Sequence, residues 1–426
     1  MELGPFASDP RYDEAAALDR AEPLATWGDR FVVEDPELVY LDGNSLGRLP
    51  IAAVEAVRDA VERQWGERLI RSWNDGWWDL QTEVGDTIAP VIGASLGEVI
   101  VSDSTTMNLY KLALAALHAR PGRSDIVTDD LNFPSDVYVL ESAAEHASGE
   151  RRVRIMESNG IDGPVDEIIA TIGAETALVS LSATTFKSGY TYDLGRVAAA
   201  AHDAGALVLW DLSHSAGVIN QGLNATAADL AVGCTYKYLN GGPGSPAFLY
   251  VRADLQSELD NPVHGWFAHA DPFAFDLEFR ATAGVRRFHV GTMPMLSLVG
   301  AGVGAALAAE AGAVAMRRAS VSLMAWAEQL FDELLQPLGF GFATPRDPQR
   351  RGSHLSISHD HAWQITQALI EEARVLPDYR APNHLRLGFA PLYTTHVDVH
   401  TAFLRLVQIM ESEVWRSYPE TPSNIT

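Results

Sequence analysis

The chain has 426 residues, 47% of them hydrophobic and 20% charged, with a formal net charge of −25. That size and mix suit a globular protein of two or three domains, and the negative charge argues against binding to phosphate backbones or anionic membrane surfaces. A single cysteine, Cys234, excludes an intrachain disulfide, and with an acidic N-terminus and no apolar run near ~20 residues the expectation is a cytoplasmic protein.

The first 50 residues read as irregular, punctuated by Pro5, Pro10, Pro23, Pro36 and Pro50. Residues 51–65, IAAVEAVRDAVERQW, place apolar side chains at helical spacing. Short apolar runs then predict strands at 99–101, 126–128, 152–155, 177–182, 206–210, 230–233 and 247–251. Helical stretches at 107–119, 135–148, 165–172 and 194–204 lie between them. Strands separated by helices imply a mainly parallel α/β sheet with right-handed crossovers. Past residue 292 the pattern changes to Ala-rich helices around 296–335, an isolated strand at 354–358 and a last helix near 397–413. The expected organisation is a large α/β domain over 51–295 and a small α+β domain over 296–426, with 1–50 packing on the latter.

Ligands of open α/β sheets bind beyond the carboxyl ends of the strands, so polar residues placed there are the first candidates. After the run Val99–Val101 comes Ser102-Asp103-Ser104-Thr105-Thr106, leading into a helix. Hydroxyls and free N–H groups at a helix start suit a phosphate, although simple N-capping explains them as well. At 207–214, LVLWDLSH ends a buried strand on Asp211, with His214 beyond it. A buried carboxylate is costly unless paired, and a protonated pyridine nitrogen is one partner that would justify it; a structural cap is the plainer alternative. Lys237 sits in GCTYKYLNGGPGS (233–245), between two tyrosines and before a glycine-rich turn. Such surroundings suit a lysine that forms a Schiff base, although most lysines are merely exposed. Asp211 and Lys237 are one helix-plus-strand step apart and can share a sheet edge. Phe133 in NFPSD (132–136) offers an aromatic face, and Arg380 or Arg386 in YRAPNHLR (379–386) could hold a carboxylate. Physics alone does not choose between those two arginines.

Together these segments resemble the kynureninase family, in the aminotransferase class V group of fold-type I pyridoxal-phosphate enzymes. The matching stretches are YLDGNSLGRLP (40–50), WGERLIRSW (65–73), NFPSD (132–136), WDLSHSAG (210–217), TYKYLNGGPGS (235–245), Gly265-Trp266 and RAPNHLRLGFAPLY (380–393). They run in family order over nearly the whole chain. The resemblance implies a mainly parallel seven-stranded sheet between helices, with a smaller C-terminal α+β domain. It also implies pyridoxal 5'-phosphate as cofactor, no metal, and hydrolysis of L-kynurenine to anthranilate and L-alanine in the kynurenine pathway of tryptophan degradation and NAD biosynthesis.

Residue by residue, the resemblance makes Lys237 the cofactor-linked lysine and proton shuttle, with Tyr236 assisting protonation and touching the phosphate. Asp211 holds the pyridinium, with His214 beside the ring, Phe133 stacked on it, and Asp136 and Ser182 alongside. Thr105 and Thr106 bind the phosphate. Arg386 takes the substrate carboxylate, with Asn44, Ser45 and Trp65 lining the substrate site. Trp266 and Thr292 reach the site of a neighbouring subunit, so a homodimer with shared sites is implied. Trp65 and Thr292 offer little to hydrogen-bond a 3-hydroxyl, which implies a preference for unhydroxylated kynurenine over 3-hydroxykynurenine. The alternatives are another class V enzyme, an aminotransferase or a cysteine desulfurase, or a non-catalytic protein of the same fold.

Overall fold

The computed structural model describes residues 6–421; Pro5 lies outside the described residues. The chain opens with α1 (Pro10–Ala21), β1 (Val39–Tyr40), α2 (Ile51–Asp59) and α3 (Leu80–Ile92). Strands and helices then alternate through β2 (Val99–Val101), α4 (Thr105–Ala119), β3 (Asp125–Asp129), α5 (Pro134–His146), β4 (Arg152–Met156), α6 (Val165–Thr171), β5 (Thr176–Ser182), α7 (Leu194–Asp203) and β6 (Leu207–Asp211). Next come β7 (Leu230–Gly233), β8 (Phe248–Val251), α8 (Met295–Ala311) and α9 (Ala313–Leu330). The rest is β9 (Gly341–Phe342), β10 (His354–Ser358), α10 (Ala362–Ala373), β11 (Val375–Leu376), β12 (Asp378–Arg380), β13 (His384–Gly388) and α11 (His396–Ser412).

The seven expected strands form one sheet in the order β2-β8-β7-β6-β5-β3-β4, parallel except that β8 runs against both neighbours. Their alternation sorts side chains onto two cores. Val99, Val101, Val208 and Trp210 join α3, α6, α7 and α8 on one face. Ile100, Leu207 and Leu209 join α4 and α5 on the other. Both faces are covered, which is why the strands read as unbroken apolar runs. The smaller C-terminal unit has its own core of Leu355, Ile357, Phe389, Phe403 and Leu406.

Three expectations change. The first 50 residues are not wholly irregular: Asp9 caps α1 by accepting from Arg11 N at 2.9 Å, with Pro10 in the first turn. Only Ala15 of that helix is buried, so it shows no apolar stripe to read. The strand at 354–358 is not isolated, because β10 lies inside an antiparallel sheet ordered β12-β13-β10-β9. Two of its companions have only two or three residues, too few to show a period. The helix over 51–65 gives way after Asp59 to π-helical turns over Ala60–Arg68, which carry Trp65.

The core does not change at residue 295 either. Leu298, Ala305 and Ala308 of α8 pack into the sheet's core, and the second core takes over within α9 from Leu323 onward. Gly304 explains the intimacy, since a Cβ there would overlap the Leu239 carbonyl in the lysine loop. The N-terminal segment touches both cores: Ala15, Val39 and Leu41 join the small unit, Leu24 and Phe31 the sheet. Among the described residues no single helix is long and apolar enough to cross a membrane.

Candidate active site

Parallel register brings the carboxyl ends of the strands to one edge. Ser182 closes β5 directly beside Asp211 at the end of β6, and β7 runs out toward Lys237. A cavity of about 260 Å³ opens there. Of the expected residues, Lys237, Tyr236, Asp211, His214, Asp136 and Phe133 line it, as do Thr105, Thr106, Asn44, Ser45 and Arg386.

Lys237 Nζ lies 2.8 Å from Nε2 of His214. Burial, followed by the charge of Lys237, holds His214 well below its usual range. The imidazole is therefore neutral, its Nε2 accepts from Lys237, and its buried Nδ1 has no partner among the described residues. The lysine loop is held from the N-terminal motif: Gly47 N–H donates to the Tyr236 carbonyl at 2.8 Å. A Cβ at Gly47 would overlap the Lys237 carbonyl oxygen, which is why the motif carries glycine there.

Asp211 Oδ1 accepts from Ser213 N at 2.8 Å and from Ser213 Oγ at 2.6 Å. Asp136 is buried beside it, and burial together with the Asp211 charge pushes its carboxyl well above the usual range. That direction favours the protonated form of Asp136 beside Asp211. Ser182 does not reach the cavity wall; its Oγ donates to Asn132 Oδ1 at 2.7 Å, behind the loop that carries Phe133. The Phe133 ring is half exposed and meets Phe186 edge-on, 5.2 Å between centroids. Neighbouring Cys234, with burial second, raises Tyr236, so its phenol keeps its proton.

At the far end of the cavity Ser104 Oγ caps α4 by accepting from Met107 N at 3.3 Å, with Thr105 and Thr106 in the first turn. The turn before it places Asp103 at φ +47°, a left-handed conformation unusual for a side-chain residue. Fully buried Lys111 secures it, donating to Asp103 Oδ2 at 2.6 Å and to the Phe288 carbonyl at 2.8 Å. At the opposite wall Arg386, about 1% exposed, donates to Asp378, to the Phe186 carbonyl and, at 3.0 Å, to Ser45 Oγ. With its amide oxygen toward the guanidinium, Asn44 accepts from Arg386 Nε at 2.9 Å.

This donor set fits pyridoxal phosphate. A capped helix start with two hydroxyls would suit the phosphate, a strand-end carboxylate the pyridine nitrogen, and an amine the aldehyde. The unpartnered His214 Nδ1 and Asp136 Oδ2 mark polar positions that protein alone leaves unsatisfied.

Besides Ser182, three expected residues lie outside the cavity. Trp65 is 57% exposed on the π-helical turns. Trp266 and Thr292 line a separate cavity of about 810 Å³ with Ile70, Trp73, Trp78 and Phe273. In return the cavity gains Ser135, Ser213, Phe186 and Arg380. Ser213 was readable, since an Asp two residues ahead of a Ser favours a local side-chain turn. Phe186 follows β5 and would have emerged had that strand end been scanned beyond Ser182. Asp378 gave no signal, because only strand pairing sets it beside Arg386.

A model of the kynureninase C-terminal domain matches residues 316–406. Kynureninase from Burkholderia pseudomallei (strain 1106a) is 41% identical over 411 residues, 95% of this chain and 97% of that one. Kynureninase from Pseudomonas fluorescens is 38% identical over 408 residues, 95% and 96% of the two chains. Among solved structures, the apo cysteine desulfurase from Thermococcus onnurineus NA1 superposes with a TM-score of 0.75 at 19% identity, covering 93% of this chain and 98% of that one. The Escherichia coli cysteine desulfurase CsdA gives 0.76 at 18%, covering 91% and 98%. At such identities the likeness is one of fold, that of fold-type I pyridoxal-phosphate enzymes.

Proposed function

The chain belongs to the kynureninase family, and from that membership we propose how its residues divide the work. It is a pyridoxal-phosphate-dependent hydrolase that cleaves a carbon–carbon bond, converting L-kynurenine and water to anthranilate and L-alanine. The observation that carries the assignment of residues is the meeting of Lys237, Asp211, Tyr236 and Arg386 in one cavity. The desulfurase alternative fails on chemistry, because Cys234 is buried in the strand exit and burial raises its thiol.

Bound pyridoxal phosphate supplies an electron sink for the bonds made and broken at the substrate's α- and β-carbons. The chain's own residues do the rest. Lys237 Nζ would hold the cofactor, and the same amine would carry the proton removed from the substrate's α-carbon. Neutral His214 accepts a hydrogen bond from Nζ and so orients it. Asp211 would keep the ring nitrogen protonated, and the raised carboxyl of Asp136 beside it limits competing negative charge. Tyr236, held in its phenol form, donates a proton as the Cβ–Cγ bond breaks. Water's hydroxyl ends on the aroyl carbon and a proton ends on the departing β-carbon. Arg386 orients the substrate through its α-carboxylate.

The test is direct. Purified holoenzyme given kynurenine should release fluorescent anthranilate and equimolar L-alanine; formation of an amino-exchanged product without anthranilate would instead indicate an aminotransferase.

The subunit arrangement and ring preference extend the proposal. Trp266 and Thr292 lie outside this chain's own cavity, which supports a homodimer in which they complete the partner's site. With Trp65 they would form a ring wall that favours unhydroxylated kynurenine. Trp65→His with Thr292→Asn should raise the kcat/KM ratio of 3-hydroxykynurenine over kynurenine by about tenfold, on the order of 1.4 kcal/mol. Paired with a Lys237→Ala chain, the variant's one working site would receive wild-type Thr292 and show mixed specificity. An unchanged ratio in the double variant would remove these positions from the ring pocket.

A further inference from the structure

Asp378 stands directly opposite Arg386 in the β12–β13 ladder. Its Oδ2 meets Arg386 Nη2, Arg380 Nη2 at 2.9 Å and Ser45 Oγ at 3.1 Å. Both Asp378 and Arg386 are about 1% exposed, so neither is screened by water. A guanidinium has a fixed fork of donors. On Arg386, Nε turns to Asn44, Nη2 to Asp378 and Ser45, and Nη1 to the Phe186 carbonyl. That edge is spoken for, and the group cannot swing. Arg380 differs: it lines the same cavity, its side chain is about 36% exposed, and its buried Nε has no partner among the described residues.

We propose that Asp378 is a positioning residue that assembles Arg386 and Arg380 into a single receptor for the substrate's α-carboxylate, with Arg380 supplying the second contact. The inference rests on the kynureninase reading and deepens it. Two guanidiniums drawn to one cavity wall repel each other, and a carboxylate between them offsets that repulsion and sets their spacing. Two cations against Asp378 leave positive charge for an incoming carboxylate once the second acid there, Asp42, is protonated. The other acid facing the group, Asp42, is pushed up to about 6 by burial first and Asp378 second, so it can take a proton when a further anion arrives. Sequence proximity hides the unit, because Asp378 lies eight positions before Arg386 and faces it only through strand register.

The test separates carboxylate recognition from general integrity. Binding to holoenzyme is followed by the change in cofactor absorbance with two probes, L-alanine and ethylamine, which differ by the carboxylate. Asp378→Asn should weaken L-alanine at least about tenfold while leaving ethylamine within about twofold. KM for kynurenine should rise more than kcat falls. Asp378→Glu keeps the charge but moves it, and should weaken L-alanine by an intermediate amount. Arg380→Gln should also weaken L-alanine and spare ethylamine. Equal weakening of both probes, or L-alanine binding unchanged or tighter in Asp378→Asn, overturns the positioning role. An unaffected Arg380→Gln overturns the second contact. If Asp378→Asn does not fold, the Asp378→Glu and Arg380→Gln results decide on the same criterion. A wild-type protein that neither responds to L-alanine nor releases anthranilate would overturn the kynureninase reading itself; a responsive wild type confines any failure to Asp378 and Arg380.

Discussion

Lys237→Ala should lower kcat for kynurenine by at least about 10³-fold, since the same Nζ both holds the cofactor and moves the α-proton. The protein should remain folded, because Lys237 hydrogen-bonds only one neighbouring side chain, His214 Nε2, at the mouth of the cavity. His214 and Asp211 stay in place on their own turn, so cofactor should still bind, more weakly. Chemical mapping sharpens the point, because the chain has just three lysines. Lys111 is buried in its pair with Asp103, and Lys187 lies next to Phe186 at the cavity rim with its ammonium disfavoured by burial. Borohydride treatment of the yellow holoenzyme followed by peptide mapping should place the label on Lys237. A label on Lys187 would reassign the chemistry.

Asp211→Asn should cost at least about 10²-fold in kcat, about 2.7 kcal/mol of transition-state stabilisation, together with a loss of cofactor affinity. The substitution keeps the shape and can keep the bond from Ser213, so the change isolates charge. Asp136 is a poor substitute for the lost carboxylate, because burial, the larger cause of its raised carboxyl, remains in the variant. Cofactor content and the absorbance spectrum should be measured beside turnover. Full activity with normal cofactor content would show that the strand-end carboxylate only caps its turn through Ser213.

Local pattern carried much of this protein in its sequence. The seven sheet strands were legible because both faces of the sheet are covered, so each strand is a short apolar run bounded by turns. Asp211, Lys237 and the Ser-Thr-Thr turn were legible because each lies immediately after such a run, and parallel order sends those ends to one edge. The family resemblance then chose Arg386 over Arg380 and added Asn44 and Ser45, which no strand end announces. Tertiary structure decided the rest, for reasons that act between segments distant in sequence. Whether α8 belongs to the sheet's core depends on Gly304 lying against the Leu239 carbonyl, and no period in an Ala-rich helix reports that. The raised carboxyl of Asp136 arises from burial beside Asp211, 75 residues further along the chain by the difference of their numbers. The partnership of Asp378 with Arg386 exists only through the register of two short strands, because a one-residue slip would turn the carboxylate to the other face of the sheet.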